Sequence, residues 1–433
     1  MITIIKTRAL TFQKFQTVGK VYFSSLLVIL GLVFGILLSA STMAENASEL
    51  QVLQGNSQFT NKMYKLLSQE KGNIIFSPIS IHAVLSMAFQ GALGSTAERF
   101  ASTLQVPEAK TAAEGYSEVM KRLNSVENVT LLMANKVFLM AGCKLLSGFE
   151  TAVTKNFQSE VQLVDFAKTE AAAKTINDWV EVKTNEKIKD LIKKEDLDDL
   201  TRLVLVNAIY FKGNWKNKFN KEDTKTEPFY LNDVDTVDVQ MMHTKKKFNY
   251  KVDQALDAQI LEMPYINEDL SMIIILPNQK NGIAELEKKL ENYNLSEITQ
   301  NMWNTEVNVA LPKFKIEQTI DLEDSLTKLG LGEIFDQEKA NFKGMIELRP
   351  GENLYVSKVV QKAFIEVNEE GAEAAAATDV VVELERCLEL PEEFCADHPF
   401  TYFLKTSSLK TGNLLFYGKV ATLLSSIHTH EEL

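Results

Sequence analysis

Two short stretches made almost entirely of apolar residues constrain the fold of this chain more than any other feature. Residues 202–211 (RLVLVNAIYF) and 272–276 (MIIIL) lack the alternation of polar and apolar side chains that marks a half-exposed strand. Continuous apolar runs of this length are typical of strands that are buried on both faces. A sheet covered on both sides needs other layers around it, and a chain of 433 residues is long enough to supply them.

Helix signals are interspersed with further strand signals in no regular order. Residues 73–94 predict a strand that ends at Ser77-Pro78 and an apolar helix that begins there, because serine and proline are favoured at helix starts. Residues 171–194 predict a second helix, and residues 319–330 predict a short amphipathic helix that ends at Gly330. Further strands are predicted at residues 307–316, 400–404 and 414–417. This irregular order favours an α+β fold with several large antiparallel or mixed sheets.

Composition limits the number of domains and the kinds of partner. No linker rich in proline, glycine or serine, no low-complexity tract and no internal repeat occurs, so residues 45–433 are expected to form one domain. The formal net charge of −12 repels phosphate backbones, and we therefore expect no nucleic-acid partner. The three cysteines form no disulfide framework. Cys143 is expected to be free, while Cys387 and Cys395 either pair with each other or remain free thiols.

The N-terminus has the layout of a secretory signal peptide. The first 20 residues carry four basic side chains and no acid, residues 21–44 carry no charge, and small residues ending at Ala44 fit a cleavage site. We predict that residues 1–44 direct the chain into the secretory pathway and are removed, although the uncharged stretch is also long enough to stay as a signal anchor. Three glycosylation sequons, at Asn46, Asn128 and Asn294, support entry into the secretory lumen.

Motifs of enzymes and of metal sites are missing from the sequence. It contains no Gly-x-Ser-x-Gly elbow, His-Glu-x-x-His pair, phosphate-binding loop or Cys-x-x-Cys pair, and it has only five histidines. We therefore expect neither a metal nor another cofactor, and we do not expect an enzyme. A hydrolase whose catalytic triad is scattered along the chain stays as an alternative, because such triads leave no local motif.

The segment from residue 366 to 400 carries the most informative pattern. Every second residue from Ala372 to Leu384 is small or apolar, and every charge between residues 372 and 385 falls on the interleaved positions. Because successive side chains of a strand point to opposite faces, this segment would bury one uncharged face and expose an acidic one if it joined a sheet. Its run of alanines favours helix over strand, however, and Gly371 favours a loop. The pattern fits a segment that adopts two structural states, and an ordinary amphipathic strand or an exposed Ala-rich helix with a single state is the alternative.

Five blocks of the sequence resemble the serpin family of protease inhibitors, of an insect type, in the same order and spacing. They are NIIFSPISIHAVLSM at residues 73–87, LVNAIYFKGNWKNKF at 205–219, LPKFKIEQTIDLEDSLTKLG at 311–330, VSKVVQKAFIEVNEEG at 356–371 and HPFTYFLKTSSLKTGNLLFYGKV at 398–420. In addition, NEEGAEAAAAT at residues 368–378 resembles the hinge of the reactive-centre loop of inhibitory serpins. The resemblance covers nearly the whole chain after about residue 50.

The resemblance implies an α+β serpin fold with a large five-stranded sheet, two smaller sheets, eight or nine helices and a reactive-centre loop at about residues 368–397. It also implies a suicide-substrate mechanism. A serine protease cleaves the loop, forms a covalent acyl complex and is trapped when the hinge inserts into the large sheet. The implied hinge comprises Gly371, Ala372, Glu373, Ala374, Ala375, Ala376, Ala377 and Thr378. The implied polar cluster under the sheet comprises Ser77, Ser80, Asn207 and Gln361, with Trp215 near the point where the hinge first enters.

Family spacing from Gly371 places the cleaved bond between Glu385 and Arg386. The bond after Arg386 is the second candidate, because trypsin-like proteases recognise arginine, and the bond after Leu384 is the third. We expect the inhibitor to be a monomer. A non-inhibitory serpin that acts as a chaperone or carrier is the alternative function. Such serpins usually carry bulky, charged or proline residues on the buried face of the hinge, and this hinge has none.

The C-terminal residues His430-Glu431-Glu432-Leu433 resemble a retrieval signal of the endoplasmic reticulum. The resemblance would make a retrieval receptor a second partner and would retain the protein in the lumen of that compartment. An inhibitor that escapes retrieval would instead be extracellular.

Overall fold

The computed structural model describes residues 47–126, 129–266, 268–349, 351–369, 390–406 and 414–423. The expected signal peptide, the hinge with all three candidate cleavage sites, and the retrieval-like tail lie outside these ranges.

One helix, α2, begins where the local sequence favours a start. α1 covers residues 47–67, and α2 (Pro78–Phe89) has its proline in the first turn, where the missing N–H costs no hydrogen bond. The strand Ile74–Phe76 precedes α2, so the predicted strand followed by a buried helix is confirmed. The other α-helices are α3 (Gly94–Leu104), α4 (Ala109–Asn124), α5 (Ser147–Phe157), α6 (Thr169–Lys183), α7 (Ile283–Leu290) and α8 (Glu323–Leu326).

Strands lie between the helices along the whole described chain. They are β1 (Ile74–Phe76), β2 (Val129–Met140), β3 (Lys144–Leu145), β4 (Glu160–Val164), β5 (Leu203–Gly213), β6 (Lys225–Tyr230), β7 (Thr236–Asp253), β8 (Ala258–Pro264), β9 (Leu270–Pro277), β10 (Trp303–Pro312), β11 (Phe314–Asp321), β12 (Ile346–Glu347), β13 (Lys358–Val367), β14 (Glu392–Cys395), β15 (Phe400–Thr406) and β16 (Leu414–Val420). The two apolar runs form β5 and β9. All of β9 is buried, and β5 exposes only Lys212 in part, which confirms both as strands covered on two faces.

One sheet has five strands in the order β11-β13-β5-β2-β4. Its neighbours β13 and β5 run parallel and pair over eight residues, from Lys358 opposite Val204 to Ile365 opposite Phe211. β2 lies antiparallel on the other side of β5, and β11 lies antiparallel on the other side of β13. The five-stranded sheet that the resemblance implies is therefore present.

The remaining strands form a nine-stranded and a two-stranded sheet within the described residues. The nine-stranded sheet follows the path β1-β16-β15-β9-β8-β7-β10-β14, with β6 paired to β7. The 18-residue strand β7 joins its two parts, because β7 pairs with β8 near its end and with β6 near its start. The three-sheet α+β arrangement that the resemblance implies is thus present, although one of the two sheets expected to be smaller is the largest by strand number.

Both faces of the five-stranded sheet are covered. On one face, Leu205 and Ile209 of β5 belong to the main core, which also contains the buried side of α2. On the other face, Val204 and Val206 belong to a second cluster with apolar residues of α6. The alternation of side chains along β5 therefore divides them between two hydrophobic layers.

Two predicted helices have different boundaries in the structure. The helix expected over residues 171–194 ends at Lys183, because Asn185 and Glu186 adopt left-handed backbone angles that stop a helix. The helix expected from residue 319 begins only at Glu323, because β11 continues in register with β13 as far as Asp321. The alternating segment 307–316 divides into β10 and β11 on either side of Lys313.

No helix in the described ranges is long and apolar enough to cross a membrane. The same ranges contain no group of three His, Cys, Asp or Glu side chains that could hold a metal ion.

Candidate functional site: the boundary between β5 and β13

Two of the polar residues predicted to lie under the sheet, Asn207 and Gln361, occupy one row across three strands together with Asn135. Gln361 of β13 lies opposite Asn207 of β5, and Asn207 lies opposite Asn135 of β2. Residues in register at the same position of neighbouring strands point to the same face. Three carboxamide side chains are therefore placed side by side across the boundary between β5 and β13.

Hydrogen bonds join this row to the start of α2. Gln361 Nε2 donates to Asn207 Oδ1 (2.5 Å) and to the carbonyl oxygen of Ser77 (3.1 Å), and Gln361 Oε1 accepts from the Ser77 backbone N–H (2.9 Å). Asn207 Nδ2 donates to Ser80 Oγ and Asn135 Oδ1, and Ser80 Oγ donates to Asn135 Oδ1 (3.0 Å). The network thus connects β13, β5, β2 and α2.

Burial gives these hydrogen bonds their importance. Ser77, Ser80, Asn207 and Gln361 are all 0% exposed, so a carboxamide that lost its partner would not be solvated by bulk water. An unsatisfied buried donor or acceptor costs about 1–3 kcal/mol. Ser77 takes part through its backbone, and its hydroxyl oxygen is buried without a hydrogen-bond partner among the described residues. Any separation of β13 from β5 therefore has to break and replace this network.

Trp215 lies apart from this row, beyond the end of β5. Its indole Nε1 donates to the carbonyl oxygen of Asn368 (2.9 Å), and its ring stacks on Tyr265 with centroids 4.5 Å apart. Trp215 is only 2% exposed. A rigid, buried side chain therefore holds the backbone just after β13, where the chain leaves the five-stranded sheet.

Glu369 is the last described residue before the segment that contains the hinge. Its carboxylate forms an ion pair with Lys313 (Nζ–Oε2 3.0 Å) and accepts a hydrogen bond from Thr224 Oγ1 (2.9 Å). The backbone N–H of Phe219 donates to the Glu369 carbonyl oxygen (3.2 Å). Burial opposes ionisation of Glu369, but its own backbone N–H, Lys313 and Thr224 outweigh burial and hold the pKa of the carboxyl below its ordinary value.

The first strand after the segment 370–389 is β14, which belongs to the nine-stranded sheet. β14 runs parallel to β10 over four residues, from Glu392 opposite Val307 to Cys395 opposite Ala310. Directly after it, the carbonyl oxygen of Asp397 accepts a hydrogen bond from the Tyr230 backbone N–H (2.7 Å), and His398 Nε2 lies 2.8 Å from the carbonyl oxygen of Pro277. Residues 370–389 thus connect an inner strand of one sheet to the edge of another.

The other predicted site residues fall partly outside the described ranges. Hinge residues Gly371, Ala372, Glu373, Ala374, Ala375, Ala376, Ala377 and Thr378, the candidate bond residues Glu385 and Arg386, and Cys387 all lie outside them. So do the sequon asparagines Asn46 and Asn128. Asn294 lies inside the described part and is exposed, as a glycan acceptor has to be.

The structure adds residues that the sequence did not single out. Asn135 completes the carboxamide row, but it is recognised only once the register of β2 against β5 is known. Glu369, Lys313 and Thr224 come from three separate parts of the chain and meet only in the folded protein. A sequence signal existed for Glu369 alone, because it lies in the segment 368–378 that resembles the hinge of inhibitory serpins.

We expect the Glu369→Gln substitution to destabilise the protein by about 1–3 kcal/mol at neutral pH, because Lys313 loses its buried counter-charge. The pKa of Glu369 in the folded protein is depressed below the value of 4.5 that it has in the unfolded chain. The contribution of its charge to the free energy of unfolding is therefore fully present above pH 4.5 and is lost as the pH falls through the folded-state pKa. Urea unfolding of both proteins should therefore show a stability difference that is large at pH 7 and shrinks below pH 4.5.

Glu347→Gln is the matched control, since the Lys144–Glu347 ion pair (2.6 Å) is exposed on both sides. Exposed pairs contribute about 0–1 kcal/mol, so this variant should unfold nearly as the parent does. A stability difference for Glu369→Gln that is equal at pH 7 and pH 3 would contradict the role assigned to its charge.

Comparison with known proteins gives a consistent match over almost the whole described chain. The family model described as "Serpin (serine protease inhibitor)" matches residues 54–423. Human leukocyte elastase inhibitor is 38% identical over 383 residues, which cover 86% of this chain and 99% of that protein. Antichymotrypsin-2 of Bombyx mori is 38% identical over 367 residues, which cover 84% of this chain and 97% of that protein. The solved structure of Serpin48 from the insect Tenebrio molitor has a TM-score of 0.77 at 36% identity, covering 87% of this chain and 99% of that one.

Proposed function

This chain belongs to the serpin family of serine protease inhibitors, and we propose that it is an inhibitory, monomeric member that traps its target by inserting residues 371–384 between β5 and β13. The observation that carries the proposal is the parallel pairing of these two strands. A segment that folds back from the end of β13 runs antiparallel to β13 and therefore also to β5. It can hydrogen-bond with both strands at once.

Insertion exchanges one ladder for two. The eight-residue parallel ladder between β5 and β13 is broken, and two antiparallel ladders form in its place. Antiparallel pairs are slightly more stable per residue than parallel pairs, so the exchange favours the inserted state. Until the loop is cut, both of its ends are held, at Glu369 and at β14. Cleavage releases one end and allows insertion.

The chemistry of the trap uses the protease's own reaction. The protease serine attacks the carbonyl carbon of the scissile bond, which we place between Glu385 and Arg386. The peptide bond breaks, the new amine leaves with Arg386, and the residue before it stays esterified to the serine. Insertion then has to carry the protease away before water hydrolyses that ester. The outcome is decided by the relative rates of insertion and hydrolysis.

The hinge composition supports fast insertion. Ala372, Ala374 and Ala376 would enter the closed sheet with almost nothing to desolvate, and the charges of the segment lie on the other set of positions. A chaperone or carrier role has no comparable observation in its favour.

We expect an SDS-stable complex with at least one serine protease, because the ester survives denaturation if insertion is faster than hydrolysis. The protease panel contains an elastase and a chymotrypsin, because relatives are named for these enzymes. It also contains a trypsin, because of Arg386, and a Glu-specific protease, because of Glu385. Denaturing gels show the complex, and mass spectrometry of the C-terminal fragment identifies the bond. If every protease that cuts between residues 383 and 388 yields only cleaved product, the protein is not an inhibitor.

Ala374→Arg should convert the inhibitor into a substrate, whereas Glu373→Arg should leave it an inhibitor. The first change places a charge on the face that enters the sheet, and each added 1.4 kcal/mol or so of insertion barrier slows insertion about tenfold. The measurement is the number of inhibitor molecules consumed per protease molecule trapped. Equal loss of inhibition by both variants would contradict the assignment of faces in residues 372–384.

We further propose that the protein enters the secretory pathway through residues 1–44, is glycosylated at Asn294 and is returned to the endoplasmic reticulum through His430–Leu433. A retrieval receptor reads the end of the chain, so a Gly-rich tag added after Leu433 should shift the protein from cells to medium. Comparison of the two fractions with and without the tag tests this. If the tag does not change the distribution of the protein between cells and medium, residues 430–433 are not a retrieval signal and the protein is an extracellular inhibitor.

A further inference from the structure

A cavity of about 720 Å³ opens where β11 starts, β13 ends and the chain leaves β16. Val239, Phe314 and Val367 form apolar walls and are each no more than 5% exposed. Three lysines, Lys221, Lys313 and Lys315, and two glutamates, Glu366 and Glu369, surround them. Lys313 is paired with Glu369 (3.0 Å), so the cavity combines an apolar floor with a rim that carries one more positive than negative charge.

The last described residues of the chain line this same cavity. Thr422 and Leu423 form part of its wall, and the side chain of Asn73 fixes their backbone. Asn73 Nδ2 donates to the Thr422 carbonyl oxygen (2.8 Å), while Asn73 Oδ1 accepts from the N–H groups of Ala421 (2.8 Å) and Thr422 (2.9 Å). The ten residues that follow, 424–433, therefore start at the edge of the cavity.

Residues 424–433 match the cavity in chemistry. The segment LLSSIHTHEEL from residue 423 carries apolar side chains first and two carboxylates, Glu431 and Glu432, later. An extended chain advances about 3.3 Å per residue, so Ile427 reaches up to about 13 Å from Leu423. Lys315 contacts the ring of Phe364 (5.0 Å) and has no carboxylate partner among the described residues, so it is available to a carboxylate of the tail.

We propose that the C-terminal tail, residues 424–433, docks in this cavity, with Ile427 on the apolar floor and Glu431 near Lys315. The segment lies after residue 423, where the family match ends. The cavity wall includes Asn368 and Glu369, which places the docked tail beside the base of the reactive-centre loop. Docking and capture by a retrieval receptor would exclude each other, because both use the same residues.

Hydrogen–deuterium exchange of the full-length chain tests the proposal. We expect the amides of residues 424–432 to exchange at least tenfold more slowly in the parent than in the Ile427→Asp variant, since the aspartate would have to enter the apolar floor. Lys315→Glu should also remove the protection, and adding Glu431→Lys to it should restore part of it. Lys343→Glu, at an exposed position away from the cavity, is the matched control and should change nothing.

The same data contain the results that would overturn the proposal. Tail amides that exchange as fast in the parent as in Ile427→Asp would mean that the tail does not dock. Protection that survives Lys315→Glu would place the tail elsewhere. Protection of residues 370–378 together with the cavity walls, and not of the tail, would make the hinge the occupant. Peptides from α2 and β9 report in each variant whether the fold itself is intact.

Discussion

The hydrogen-bond ladder between β5 and β13 has to keep the five-stranded sheet closed, and it also has to allow the two strands to separate when the loop inserts. Eight residues pair in the parallel arrangement, and both strands are buried by hydrophobic layers on either side. In the row formed by Asn135, Asn207 and Gln361, the hydrogen bond from Gln361 to Asn207 crosses the boundary, and the bond from Asn207 to Asn135 joins β5 to β2. Carboxamides both donate and accept, so each can exchange one partner for another without leaving a charge buried. An ion pair in the same place would have raised the cost of separation far more.

The ends of the loop are held by a different kind of interaction. At Glu369 and at Asp397 the structure uses charged or backbone groups that are tied to several strands at once. These contacts lie at the rims of the sheets, where a charge keeps some access to water. The molecule therefore separates two tasks, with neutral polar groups where strands slide apart and charged groups where the chain has to stay fixed.

The sequence was sufficient for the elements that depend on local pattern. The apolar runs predicted β5 and β9, and Ser77-Pro78 predicted the start of α2, because burial on two faces and a proline in the first helical turn leave direct marks on adjacent residues. The resemblance supplied Ser80, Asn207 and Gln361 as one cluster. Asn135 and Lys313 could not be predicted, because their roles depend on strand register and on contacts between distant segments. The helix ends at Lys183 and Glu323 were set by backbone conformation and by sheet pairing, which the helical pattern does not encode.

The nine-stranded sheet determines what remains after the chain is cut. A fragment that starts at residue 386 contains β14, β15 and β16, and β15 and β16 are inner strands, each hydrogen-bonded on both sides. Their residues, such as Phe403 and Phe416, belong to the main core. The fragment therefore stays bound in the nine-stranded sheet after cleavage and does not dissociate from the folded protein. Proteolysis turns one polypeptide into two while the particle keeps its mass and hydrodynamic size, so the cut is visible only when the protein is unfolded.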